Sequence, residues 1–501
     1  MDGADRHAPI ELDAEEFRRL GHGLVDDIAD FLRTLPERPV APGRDADEVR
    51  DALGRGGLPE QGTPAGELLA EAGRLLFEHS TFNGHPRFLA YITASASPIG
   101  ALGDLLAGAV NPNVGGWALS PVATEIEAQT VRWIAELLGY PAGCGGLLVS
   151  GGNMANFVGF LAARRARAPF NVRTDGMAAC DQDGPLRVYV SAETHTWIEK
   201  AADLFGLGTD AIRWIDVDSD RRMLVPALRE AIASDRAAGA TPLLVVGTAG
   251  SVSTGAIDPL GEIAALCRDE GVWLHVDGAY GAPAAVLPDA PADLKALAEA
   301  DSVAIDPHKW LYAPLEAGCA LVRDPQTLLD AFTYRPPYYA FDEGADAPIS
   351  YVDYGPQNSR GFRALKVWLG LRQVGREGYI GMISDDIALA RELHRLAADD
   401  PELEAWTTSL SITTFRYVPP DVEPGTPETE EYLNALNQEL RDRLERGGET
   451  YVSNAVVDGA YLLRACVVNF RTTAADMAAL PEIVKRVGAE IHAERNPLRA
   501  A

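Results

Sequence analysis

Asp301-Ser-Val-Ala-Ile-Asp-Pro-His-Lys-Trp310 starts as a buried strand and ends on an amine. Val303 and Ile305 make a short apolar run, and Pro307 stops it. His308 and Lys309 therefore fall on the turn leaving a strand, where α/β proteins place their chemistry. A lysine that leaves a core strand between a histidine and a tryptophan is short of water. That is the setting in which an amine serves as a nucleophile rather than as a solvated cation. Taken alone, a surface lysine beside a half-buried tryptophan accounts for the same residues. The rest of the chain decides between the two.

Around this stretch, apolar β-type runs alternate with helical patterns. The strands are expected near 188–190, 212–217, 243–247, 273–276, 302–305 and 319–322, and the helices near 196–205, 225–238, 259–269 and 292–299. Such alternation predicts βαβ units, hence an α/β fold with a mostly parallel central sheet covered on both faces. Upstream, Asp13 and Glu16 open a helix that carries Phe17, Leu20, Leu24, Ile28 and Phe31 at helical spacing, and Thr63-Pro64 opens a second. Residues 86–121 read as irregular backbone rich in small residues, with isolated aromatics suited to a pocket wall or a surface loop. Residues 333–350 carry prolines and aromatics without periodicity, the character of a lid loop. Helical patterns over 362–396 follow, then a strand at 410–417, a helix at 428–446, strands near 461–470 and a helix from 474. The expected division is a helical segment at 1–84, whose apolar stripe packs on the body or on a second subunit, a large α/β domain at 85–390 and a small α+β domain at 391–501.

Lys and Arg number 44 against 73 Asp and Glu, a formal charge of −29. A phosphate backbone or anionic membrane surface would be repelled by most of such a surface, so neither is an expected partner. Cys144, Cys180, Cys267, Cys319 and Cys466 are scattered without paired spacing. This argues against a disulfide framework or a metal site and suits the reducing cytoplasm. No apolar run approaches the length of a membrane span.

Three further pieces accompany Lys309. Ser150-Gly-Gly-Asn153 sits at a strand-to-helix junction, where backbone N–H groups and the helix dipole can hold a phosphate, or a plain loop can form. Trp273-Leu-His-Val-Asp277 ends an apolar strand on a carboxylate that needs a partner, which a protonated pyridine nitrogen or a capping contact would supply. Ser191-Ala-Glu-Thr-His195 places a histidine before a helix, over a cofactor ring or as a local hydrogen-bonder. An anion cradle, a histidine, a strand-end aspartate and a lysine, in that order on a parallel sheet, match pyridoxal 5'-phosphate held through its aldehyde.

The chain resembles the group II pyridoxal-phosphate-dependent amino-acid decarboxylases, of the aromatic-amino-acid, glutamate and histidine decarboxylase kind. The resemblance is carried by Trp117-Ala-Leu-Ser-Pro-Val-Ala-Thr-Glu125, Ser150-Gly-Gly-Asn-Met-Ala-Asn156, His195 with Lys200, Gly247-Thr-Ala-Gly-Ser251, Gly255-Ala-Ile-Asp-Pro259, His275-Val-Asp-Gly-Ala-Tyr280, Asp306-Pro-His-Lys-Trp310 and Arg363-Ala-Leu-Lys-Val-Trp368, colinear over roughly 80–390. It implies the aspartate-aminotransferase-type fold (fold type I) and decarboxylation of an L-amino acid to an amine and CO2. It also implies a homodimer with shared active sites. By the same resemblance Lys309 bonds the cofactor, Asp277 keeps the pyridine nitrogen protonated, and His195 and Ala279 cover the two ring faces. Gly151, Gly152, Asn153 and Ser251 hold the phosphate, with His308 and Asp306 close by, and Tyr91 and Trp117 wall the substrate pocket. Tyr338 falls where the family's mobile loop carries a proton-donating tyrosine, with Tyr339 adjacent. Gly115 stands where aromatic-selective relatives tend to carry a bulky aromatic, so an acidic or diamino acid is the alternative substrate. Oxidative decarboxylation–deamination to an aldehyde is the alternative reaction.

Overall fold

The computed structural model describes residues 8–180, 184–334 and 348–495. Seven strands form its larger sheet: β1 (Gly145–Val149), β2 (Leu186–Ser191), β3 (Ile212–Ile215), β4 (Thr241–Thr248), β5 (Trp273–Asp277), β6 (Ser302–Ile305) and β7 (Gly318–Val322). Their order is β1-β7-β6-β5-β4-β2-β3, and β7 alone runs antiparallel to its neighbours. Every residue of β1, β5, β6 and β7 is buried, because helices cover both faces. β1 opposes β7, which opposes β6, so β1, β2, β4, β5 and β6 all send their carboxyl ends to one edge. That edge is where open α/β sheets bind ligands.

One face packs against helix Gly152–Arg167, with Val158, Phe160 and Ala162 fully buried against Val188, Val190 and Ala304. The other packs against helices Pro121–Leu138 and Leu260–Glu270 through Ile134, Leu138, Leu260 and Ile263. A second, antiparallel sheet follows: β8 (Leu403–Ser409), β9 (Ile412–Tyr417), β10 (Ser453–Val457) and β11 (Ala460–Cys466), in the order β10-β11-β9-β8. Leu89 stitches this sheet to the early chain, donating its N–H to Tyr451 O and accepting from Cys466 N. Helix Ala364–Asp399 spans the two sheets' cores and breaks at Gly375, whose φ of +67° favours glycine.

Three elements depart from the sequence reading. Pro98–Val110, expected to be irregular, is a helix started by Pro98. Its small residues are packing devices: a Cβ on Gly100 would meet Pro314 Cδ at 2.4 Å, and one on Gly103 would meet Leu369 Cδ1 at 2.9 Å. The expected single strand at 410–417 is a β8–β9 hairpin turning at Leu410, which adopts φ +49°. A helix at Ala46–Leu53, capped by Asp45 and Glu48, lies between the two expected N-terminal helices, where the sequence reading named no element. Helix Ala14–Thr34 begins where Asp13 accepts from the Glu15 and Glu16 N–H groups, and no residue of it is buried within one chain. Among the described residues, no helix is long and apolar enough to cross a membrane.

Candidate active site

Five loops leave the common strand edge and meet over a cavity of about 130 Å³. Lys309, Asp277, His195, Gly152, Asn153, Ala279 and Asp306, seven of the residues singled out from sequence, line it together. Ile92, Asn156, Glu193, Thr248, Gly250, Val252 and Tyr280 complete the wall.

Lys309 lies on the turn after β6. Its Nζ is 3.0 Å from Asp306 Oδ2, so its near neighbour is an opposite charge. Trp310 does not wall the amine as expected. It is fully buried, stacks on Tyr280 with ring centroids 5.0 Å apart, and donates Nε1–H to Asp386 Oδ2 at 2.8 Å. Tyr312 OH donates to the same oxygen at 2.6 Å, so Asp386 on the long helix clamps the segment just past Lys309. Burial pushes the Asp386 carboxyl up to about 7.

Asp277 ends β5 with its carboxylate held on both oxygens. Trp197 Nε1–H donates to Oδ2 (2.8 Å) and the Ala279 N–H to Oδ1 (3.2 Å). Behind it, on the same face of β5, His275 is sealed from water. Ser302 Oγ lies 2.7 Å from its Nδ1 and Asn156 Oδ1 2.7 Å from its Nε2, while Trp273 Nε1–H donates to Ser302 Oγ. Burial lowers His275 to about 4, which leaves the ring neutral at ordinary pH. The Trp197 indole stands edge-on to this imidazole at 5.7 Å. A satisfied polar network therefore fixes the indole that fixes Asp277.

His195 follows β2, and its Nδ1 accepts from the Trp197 N–H at 3.3 Å. This puts the proton of the neutral ring on Nε2, which has no hydrogen-bond partner among the described residues. Loss of water contact lowers its pKa, opposed by Asp277 and reinforced by Lys309. His308 is likewise lowered by burial. Its Nδ1 accepts from the Ala317 N–H, and its Nε2 is 3.6 Å from Asp306 Oδ2.

After β1, Gly151 has φ +155° and caps helix Gly152–Arg167 without any side-chain cap, which leaves first-turn N–H groups open. A Cβ on Gly152 would reach Asp306 Oδ2 at 2.8 Å and Ala279 Cβ at 3.2 Å. The cradle is thus filled by anything larger than glycine. One buried atom at the site, Asp306 Oδ1, has no hydrogen-bond partner among the described residues. An amine for an aldehyde, a braced carboxylate for a ring nitrogen and open N–H groups fit pyridoxal phosphate.

Other expected residues lie elsewhere. Ser251 is buried beside the wall, with its hydroxyl turned onto Thr254 and the Ala256 N–H. Tyr91 is 55 % exposed and faces the Tyr451 ring, and Trp117 donates to Glu125, so neither lines the cavity of its own chain. Gly115 is not an emptied pocket position: a Cβ there would sit 2.2 Å from the Asn358 carbonyl oxygen. Tyr338 and Tyr339 lie outside the described residues. Sequence reasoning missed Trp197, Thr248 and Glu193. His275 and Asp277 share a face by strand alternation, which was the available signal for the bracing network.

The pyridoxal-dependent decarboxylase conserved domain matches residues 53–418. An aromatic-L-amino-acid decarboxylase of Bacillus atrophaeus is 34 % identical over 96 % of this chain and 97 % of its own length. A phenylacetaldehyde synthase of a Rosa hybrid cultivar is 29 % identical over 91 % of this chain and 90 % of its own. The crystal structure of Oryza sativa TDC with PLP and tryptamine superposes with a TM-score of 0.88 at 28 % identity, covering 97 % of this chain and all of that one.

Proposed function

The chain belongs to the pyridoxal-dependent decarboxylase family, and on that premise we propose which residues carry the reaction, which substrates it takes and how the active unit is assembled. It is a fold type I, pyridoxal-phosphate-dependent lyase that removes the α-carboxylate of an L-amino acid as CO2 and leaves the amine. The observation that carries the assignment of roles is the convergence of Lys309, Asp277 and His195 with the Gly152 cradle on one strand edge.

When bound, pyridoxal phosphate supplies an aldehyde that takes up an amine and a ring that draws electrons from the breaking bond. Lys309 Nζ is the amine that holds the aldehyde. Asp277 keeps a proton on the pyridine nitrogen, its oxygens fixed by Trp197 and Ala279. His195 and Ala279, which line the cavity, would hold the ring between them. Gly151, Gly152 and Asn153 would hold the phosphate on open N–H groups, with Thr248, Ser251 and His308 nearby. Asp306 pairs with the Lys309 ammonium and so poises it at the aldehyde's site. Tyr338 delivers the proton to the substrate's α-carbon, with Tyr339 beside it.

The aromatic-L-amino-acid decarboxylase relative supports an aromatic substrate, and the closed backbone at Gly115 removes one argument against it. The aldehyde-forming relative keeps oxidative deamination as the second reading. A panel of L-amino acids assayed for CO2, amine and aldehyde tests this, with Lys309→Ala as the blank. Amine without aldehyde is expected, and no CO2 from any amino acid refutes the reading. Tyr338→Phe is expected to lower amine yield per CO2 released.

The assembly is a homodimer. Leu102, Leu105, Leu106 and Val110 are exposed along helix Pro98–Val110, as are Phe17, Val25 and Ile28 on the first helix, which supports burial against a second copy. Tyr91 and Trp117 then serve the neighbouring chain's pocket. Light scattering at twice the 53.6 kDa chain mass is expected, and a single-chain mass argues against it. The compartment is the reducing cytoplasm, in keeping with five free cysteines. The three-part division at 1–84, 85–390 and 391–501 stands as the proposed domain plan.

A further inference from the structure

Three carboxylates border the cavity, and they differ in what they touch. Asp277 accepts from Trp197 and Ala279, and Asp306 pairs with Lys309. Glu193 lines the same wall beside Ile92 and Val252, and its carboxylate has neither a hydrogen bond nor an ion pair within 4 Å among the described residues. Its backbone is fixed: the Glu193 N–H donates to Ser191 Oγ at 3.2 Å, in the turn that leads to His195 two residues on. The cation that bears on it, Arg221, is already paired with Asp458. Loss of water contact raises its pKa, opposed by Arg221 and helped by Asp458. A half-buried carboxylate left without a donor is costly unless a ligand brings one.

Building on the decarboxylase reading, we propose that Glu193 selects the substrate's side chain, accepting a hydrogen bond from a donor at its far end and repelling an acidic one. The chemistry shared by suitable substrates is a terminal N–H or O–H: a phenol, an indole or an ammonium. A carboxylate-ended side chain would bring a second negative charge to a wall that already holds three acids.

The test uses the cofactor-loaded protein and its Glu193→Gln and Glu193→Ala variants. Calorimetric binding of tyramine, tryptamine and cadaverine is compared with that of phenethylamine, which has no terminal donor. At least one of the three donor amines is expected to lose about tenfold in affinity in Glu193→Ala, and less in Glu193→Gln, which keeps a neutral acceptor, while phenethylamine moves by less than about twofold, the scale of one hydrogen bond to a charged acceptor. The amine with the largest loss identifies the donor. In parallel, kcat/KM for the matching amino acids falls through KM, and L-glutamate gains relative to the parent. An equal change for phenethylamine, no change for any donor amine, or loss of bound cofactor (read by absorbance) overturns the proposal. Absence of CO2 release by the parent protein would sink the decarboxylase reading instead, and the binding ratios would still report on Glu193.

Discussion

Replacing Glu127 by leucine would leave the buried Arg360 without its counter-charge. The two side chains are 0 % and 1 % exposed. Arg360 also donates from Nη1 to Val114 O (2.9 Å) and from Nη2 to Leu148 O (2.6 Å), while Glu127 Oε1 accepts from the Leu148 N–H (2.9 Å). Removing one partner of a buried pair costs about 3–5 kcal/mol. Orphaning the Leu148 N–H adds about 1–3 kcal/mol. The variant is therefore expected to lose at least about 4 kcal/mol of unfolding free energy. The double variant Glu127→Leu, Arg360→Met removes both charges and should recover roughly half of that, because only neutral backbone groups then lack partners. Leu148 precedes Ser150 by two residues, so the single variant should also hold cofactor less tightly. Urea unfolding of the loaded protein at fixed concentration, with a cofactor titration beside it, reads both effects. A single-variant loss below about 1 kcal/mol, or a double variant no better than the sum of the singles, would refute the reasoning.

Gly152→Ala should weaken cofactor binding at least about tenfold, because its Cβ would press on Asp306 Oδ2 and Ala279 Cβ; unchanged binding in an absorbance titration would remove the cradle assignment. Trp197→Phe takes the indole donor from Asp277 and should cut kcat by about tenfold or more with cofactor retained, whereas an unchanged kcat would make that hydrogen bond idle. Asp386→Asn keeps an acceptor for Trp310 and Tyr312 but cannot ionise. In the parent, burial raises the Asp386 pKa and Asp385 adds to it, against the Tyr312, Trp310 and Asn469 donors that lower it, so the folded value of about 7 stands above the ordinary carboxylate value of 3.8. The folded state then holds a proton that the unfolded chain has released, so parent stability should fall as pH rises through about 4 to 7, by on the order of 4 kcal/mol. The variant should lose most of that slope in urea melts at pH 5 and pH 8, and parallel slopes would discount Asp386 as its source.

The sheet and its reactive edge were legible because their cause is local. Val188, Val190, Val303 and Ile305 mark strands buried on both faces, and each strand is followed at once by a polar residue with chemistry. The Lys309–Asp306 pair was written in the three-residue spacing of a turn, yet the expected neighbour was Trp310. Nothing in sequence tells which way that indole turns, since Asp386 lies seventy-six residues away. Helix Pro98–Val110 was hidden because its glycines answer to Pro314 and Leu369, not to local propensity. The unpaired Glu193 carboxylate is a property of a wall assembled from five loops, which no single stretch encodes.

Every role assigned above requires that the amine of Lys309 hold the cofactor. Borohydride reduction of the loaded protein, followed by proteolysis and mass mapping, tests it directly. A single pyridoxyl-phosphate label is expected on the peptide carrying Lys309, absent from Lys309→Ala. A label on Lys200, Lys366 or any other lysine, or none at all, would contradict it.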